Sequence, residues 1–245
     1  MRPYRRPARP TRRIPWLVAA AVAVTGGAAL FGALGPGGPE DRTGGSSASP
    51  SPKATAASRT PPPGPGLLAS RATDPEPLTL DEVFEQRTLR SGGDAYEMTG
   101  RHQEKDCTDA VAGAALREAL DDGDCTQLLR ASFHRRGSDV MGTFGVANLR
   151  DVAAARAAES AAAQPESFLE PLPGSGDTRR LGQGIPLAGA QARGHYLILT
   201  WVQFADGHRP EGDERDELSR FAAEVGTQTL DAPLEARRTT GKPTN

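Results

Sequence analysis

The chain has 245 residues, a formal net charge of −2 and two cysteines. The charge is unevenly placed: residues 1–34 carry +6, residues 35–77 hold four basic and four acidic residues, and 78–245 are left with −8. A nucleic-acid partner asks for a basic face on the folded part. Here only a short tail is basic, so no nucleic-acid role is expected, and two cysteines without a C-x-x-C pair do not close a zinc site.

The tail carries Arg2, Arg5, Arg6, Arg9, Arg12 and Arg13. Ile14–Leu34 follows, 21 residues without a charge. A bilayer core needs about 20 apolar residues as a helix, so the stretch reads as one transmembrane helix in contact with membrane lipid. The positive-inside rule keeps residues 1–13 in the cytoplasm and sends everything after 34 outside. Two other readings stay open. Gly26-Gly27-Ala28 offers small residues for signal cleavage, which would make the protein secreted. Thr11-Arg12-Arg13-Ile14 has the start of a twin-arginine signal, although Pro15 stands where such signals carry a bulky apolar residue. Each reading exports the C-terminal part.

Residues 35–77 are rich in Pro, Gly, Ser, Thr and Ala. Such a composition buries too little apolar surface to offset chain entropy and reads as a disordered linker. Fully extended as polyproline II it would reach about 130 Å. One extracytoplasmic domain remains over 78–231, with a disordered tail over 232–245.

Within the domain, Thr79 or Asp81 is placed to cap a short helix. Tyr96–Arg101 alternates as a strand. Asp106 or Thr108 caps a helix running to about Leu120, with Val111, Ala115, Leu116, Ala119 and Leu120 on one face and Gly123 as its stop. Thr126–Arg135 is a strand with Leu129, Ala131 and Phe133 on one side and Leu128, Arg130, Ser132 and His134 on the other. Arg136-Gly137-Ser138-Asp139 turns the chain, and Val140–Ala147 returns. Asn148 caps an alanine-rich helix over about 150–162, which stops before Pro165. A Gly/Pro loop covers about 171–189. Tyr196–Phe204 is the most apolar strand and reads as central. Leu218, Phe221, Ala222 and Val225 set the last helix over about 213–229. Strand, helix, strand, strand, helix, strand is the order of a ferredoxin-like βαββαβ sheet, an α+β fold, here with a C-terminal helix added.

Cys107 and Cys125 lie in the exported part, where an even pair reads as a disulfide. This pairing is in tension with the helix drawn between them. A helix of about 13 residues is near 20 Å long, whereas disulfide Cα atoms lie roughly 4.4–6.8 Å apart. Either the helix is shorter, or the chain after it runs back along it.

The candidate site is a sheet face. Arg130, Ser132 and His134 alternate onto one side and share it with Met141 and Thr143 of the returning strand. Helices covering one side of such a sheet leave this face open. Arg130, Ser132, His134 and Thr143 are therefore the expected ligand- or partner-binding residues. No G-x-S-x-G or H-E-x-x-H context marks a catalytic residue. No metal or cofactor is expected either. His208 with Glu211 and Asp213, and His102 with Glu104 and Asp106, have ligand chemistry but read as polar loops. Gly174–Gly184 is glycine-rich with two arginines, yet lacks Walker-A spacing and leads into a strand, so it reads as a loop rather than a phosphate cradle.

The layout of Arg2–Arg13, Ile14–Leu34 and the 35–77 tract resembles that of actinobacterial single-pass membrane proteins with a small extracytoplasmic domain. The resemblance is one of architecture and implies localisation at the cell membrane. The expected function is a tethered, non-enzymatic binding or interaction domain at the cell envelope, its partner an envelope protein or a second copy. A dimerising spacer and an envelope hydrolase using the open sheet face are the alternatives.

Overall fold

The computed structural model describes residues 66–243. The expected span Ile14–Leu34, the arginine tail and linker residues 35–65 lie outside the described residues. Among the described residues no helix is long and apolar enough to cross a membrane.

The domain is α+β. Its centre is a six-stranded sheet of β1 (Thr88–Ser91), β2 (Asp94–Glu104), β4 (Gln127–Arg135), β5 (Val140–Asn148), β8 (Tyr196–Phe204) and β7 (Leu187–Arg193), in that spatial order. Every neighbouring pair is antiparallel. A two-residue strand β3 (Val111–Ala112) pairs with β6 (Phe168–Leu169) outside the main sheet. The helices are α1 (Leu80–Val83), α2 (Ala114–Asp122), α3 (Val152–Ala162), α4 (Asp213–Gly226) and α5 (Ala232–Thr240), with a π-helical turn over Thr227–Asp231 between the last two.

The expected alternation decides the layers. Leu129, Ala131 and Phe133 of β4 join Phe144, Val146, Ile198 and Val202 under Leu218, Phe221 and Val225 of α4. Phe133, Phe144 and Phe221 form a run of ring contacts, with centroids 5.9 and 5.7 Å apart. On the opposite face Leu128, Ala147, Leu197 and Leu199 meet Leu116 and Leu120 of α2 and Ala154, Ala155 and Ala158 of α3. The sheet is thus covered on both sides.

The ferredoxin-like topology expected from the element order differs from these pairings. That arrangement sets two strands side by side in parallel, which needs a crossover reaching the far end of the sheet. Here the excursion from β2 to β4 returns to the end it left. Cys107 and Cys125 mark its two ends, at disulfide distance with Cα atoms 6.2 Å apart. β4 therefore runs back beside β2, antiparallel.

The same excursion settles the helix between the cysteines. Residues 107–110 form a 3₁₀ turn capped by Asp106, Val111–Ala112 pair as β3, and the α-helix begins only at Ala114. Gly113 breaks the run, with φ at 87°, and a Cβ there would sit 2.4 Å from Ser167 Oγ. The helix is nine residues long, about 13 Å, and residues 107–113 form a separate leg before it. Val111 is buried as a strand residue and not on a helix face.

Two segments expected to be disordered are ordered. Residues 66–77, read as the end of the linker, begin with a 3₁₀ turn and bury Leu68 and Asp74. Residues 232–240, read as tail, form α5 with Leu234 and Arg237 buried. β1 and β7 are strands that the alternation did not reveal. β7 lies on the sheet edge outside β8, so β8 is internal.

Candidate functional site

β4 and β5 bring the expected face residues together. Ser132 pairs with Thr143 and His134 with Met141 across the hairpin. The face is not open, however. The chain between α3 and β7 crosses it as a strap, and the strap, rather than the last helix, does the covering. Ser132 Oγ donates to the Leu172 carbonyl at 2.6 Å. Leu172 N–H donates to Thr143 Oγ1 at 3.0 Å. The two hydroxyl oxygens lie 2.9 Å apart. With Ser132 committed to Leu172, the Thr143 hydroxyl donates to Ser132, and the three groups close a ring in which each gives and accepts one bond.

Further contacts hold the strap along its length. Arg130 Nη1 donates to the Glu170 carbonyl at 2.8 Å and Nη2 to Glu104 at 2.5 Å. Thr99 and Thr178 share a hydroxyl contact at 2.6 Å. Gln203 Oε1 accepts from Gly182 N–H and Trp201 Nε1. Phe168 packs on Trp201, centroids 4.8 Å apart. Arg130, Ser132 and Thr143 are therefore buried and occupied by the protein's own backbone. Ser132 donates to a carbonyl and not to His134, so the two form no nucleophile–base pair.

His134 is the exception. It stands beside the 3₁₀ turn of the strap, with Nε2 3.2 Å from Glu97 and Nδ1 3.5 Å from Asp177. Arg136 bonds the same Glu97 and holds its carboxyl below the usual range, with a smaller contribution from His134. Beside this cluster opens a groove of about 640 Å³. Its walls come from the β4–β5 turn (Ser138, Asp139), the start of β5 (Val140, Met141), the end of β8 (Ala205) and the strap (Asp177, Arg179, Arg180, Gln183). Arg179 and Arg180 belong to a 3₁₀ turn, Gly176–Arg180, and are exposed. The glycine-rich composition and paired arginines were visible in the sequence; that this loop folds across a sheet face and delivers them to a groove was not.

The other histidines have local partners. His208 lies between Asp206 (2.6 Å) and Glu214 (3.2 Å), not with the Glu211 and Asp213 weighed above, and stacks on Phe204. The Asp206 hydrogen bond, helped by Glu214, raises its pKa above the usual value. His102 lies 3.5 Å from Glu104, while Asp106 caps Thr108. Among the described residues no group of three or more His, Cys, Asp or Glu is arranged to hold a metal.

A second polar cluster lies at the opposite end of β8. Arg237 of α5 is wholly buried. It donates to Asp74 at 2.8 Å and to both Glu82 oxygens at 2.5 and 2.7 Å, as well as to the carbonyls of Glu76 and Pro77. Tyr196 donates to Asp74 at 2.7 Å. Burial, and then this bond, raise the Tyr196 pKa. His195 N–H and Nδ1 both approach the Leu68 carbonyl, at 2.8 and 3.2 Å, while Nε2 lies 3.9 Å from Asp74 with no hydrogen-bond partner. Burial lowers the His195 pKa. Gly194 lets Leu68 in: its φ is 62° and a Cβ there would stand 2.3 Å from the Leu68 side chain. The cluster pins the first described residues to β8 and α5. It is a structural lock.

Comparison with protein-family models, with curated proteins and with solved structures finds no match.

Proposed function

We propose that this chain is a non-enzymatic binding domain at the cell envelope, tethered by Ile14–Leu34 and carrying its site in the groove beside His134. The observation that carries this reading is the separation of the two ends of β8. The first described residues, arriving from the linker side, pack at Leu68 against His195, just before β8 begins. The groove lies at Ala205, just after it ends. Nine strand residues at about 3.4 Å each put these points some 30 Å apart. A tether entering at one pole leaves the groove at the other free to meet a ligand. The groove also has the size of small-molecule sites, which span roughly 300–1,000 Å³.

The test is photocrosslinking on whole cells with the full chain. p-Benzoylphenylalanine at Gln183, in the groove, is expected to give a crosslinked product that the same probe at Arg156, on the outer face of α3, does not give. Equal products at both positions, or none at either, would overturn the reading. Protease accessibility of the domain on intact cells tests the membrane orientation separately: exported residues are cleaved without lysis.

A further inference from the structure

The groove carries charges of both signs that do not pair with one another. Arg179 and Arg180 stand on the strap wall, and Asp139 and Asp177 line the same cavity. Among the described residues no ion pair joins either arginine to either aspartate, whereas Asp177 instead faces His134 Nδ1 at 3.5 Å. Elsewhere on the domain such neighbours do meet, as in Arg101–Asp81 at 2.6 Å, Arg150–Asp124 at 2.5 Å and Arg238–Glu235 at 2.6 Å. A purely anionic ligand would be repelled by the two carboxylates, and a purely cationic one by the two guanidiniums. A molecule bearing both charges, with a short apolar part between or beside them, meets each wall favourably. Met141, packed against Leu181 and Trp201 on the strap side, is buried under the groove and supplies an apolar floor.

We propose that the groove takes a small zwitterion, a free amino acid or short peptide, with its carboxylate on Arg179 and Arg180, its ammonium on Asp139 and Asp177, and its side chain over Met141. Planar guanidiniums are suited to a carboxylate through paired N–H donors. Asp139 follows the β4–β5 turn and its carbonyl is fixed by Ala205 N–H at 2.7 Å, so one acidic wall is anchored to the sheet. The arginines sit on the strap, whose position is set by the Thr99–Thr178 contact and the Ser132–Leu172–Thr143 ring. The binding geometry is therefore built in before a ligand arrives. This inference names the ligand class for the site proposed above and rests on that reading.

The experiment titrates the full chain in nanodiscs with three probes by calorimetry: alanyl-alanine, its N-acetyl derivative and its C-terminal amide. Alanyl-alanine is expected to bind. Capping either end is expected to weaken binding about tenfold or more, the scale of one charged hydrogen bond lost. The double variant Arg179→Ala/Arg180→Ala is expected to weaken the dipeptide while sparing the C-terminal amide. Asp139→Asn is expected to spare the N-acetyl probe while weakening the dipeptide. Both variants change exposed groups, so their melting temperatures should match the parent. Equal affinity for all three probes, preference for a capped one, or no binding overturns the zwitterion. If no probe binds while the Gln183 crosslink still forms, the ligand class falls and the binding role stands. If the crosslink is absent too, both fall.

Discussion

Ser132 and Thr143 have no water to fall back on, so the ring they form with Leu172 is held by its own completeness. Thr143→Val removes both the acceptor for Leu172 N–H and the donor to Ser132. A buried N–H left without a partner costs about 1–3 kcal/mol, and urea unfolding of the variant is expected to show a loss of that size. A smaller change, or none, would mean that the strap finds another partner. Alternation along β4 and β5 put Arg130, Ser132, His134 and Thr143 on one face correctly, because a strand's side-chain period is two wherever the strand is regular. What alternation does not carry is occupancy. Whether a polar face meets water, ligand or another stretch of the same chain depends on where residues 165–186 come to rest. Nothing local to Ser132 encodes that. His134 meets the strap only through Asp177, 3.5 Å from its Nδ1, and so keeps part of its surface for the groove.

Among the elements, α5 depends most on a single buried charge. Arg237 is neutralised by Asp74 and Glu82, which precede it by 163 and 155 residues. Removing one partner of such a set leaves the others buried and uncompensated, at a cost of about 3–5 kcal/mol. Arg237→Ala is expected to destabilise the domain by that amount in chemical denaturation. In the parent, trypsin is expected to cut after the exposed Arg179 and Arg180 well before the bond after Arg237; early cleavage at Arg237 would show that α5 is not docked. The Cys107–Cys125 pair closes the excursion between β2 and β4, and Cys107→Ser/Cys125→Ser is expected to cost about 3 kcal/mol, seen as a lower melting temperature. The sequence of α5 carries few apolar residues. Its stability comes from a long-range ion cluster, which hydrophobic periodicity does not report. β7, LAGAQAR, follows the same logic: it is a strand because β8 pairs with it, not because its side chains favour one.

For the molecule as a whole, two histidines give opposite pH responses. His195 is held neutral by burial. Its unfolded value is near 6.5, so its contribution is complete above that pH. Below it the unfolded chain takes up a proton that the folded one resists, and stability falls as pH falls. His208, raised by Asp206 and Glu214, contributes fully below about 6.5 and loses this as pH rises through its elevated folded value. The two together are expected to place a stability maximum near pH 6.5, read as melting temperature between pH 5 and 8. His195→Gln should flatten the acid limb and His208→Asn the basic one; unchanged limbs would remove the histidines as the cause. The sequence by itself determined the quantities that depend on neighbours in the chain: the charge division, the two faces of β4, and the boundaries of β8. Only the tertiary structure decided the antiparallel order of the sheet, the strap over Ser132 and Thr143, the Arg237 lock and the groove beside His134. Each of these joins residues tens to more than a hundred positions apart. Such contacts are selected by what the folded chain must bury and satisfy, and no window of neighbouring residues contains both partners.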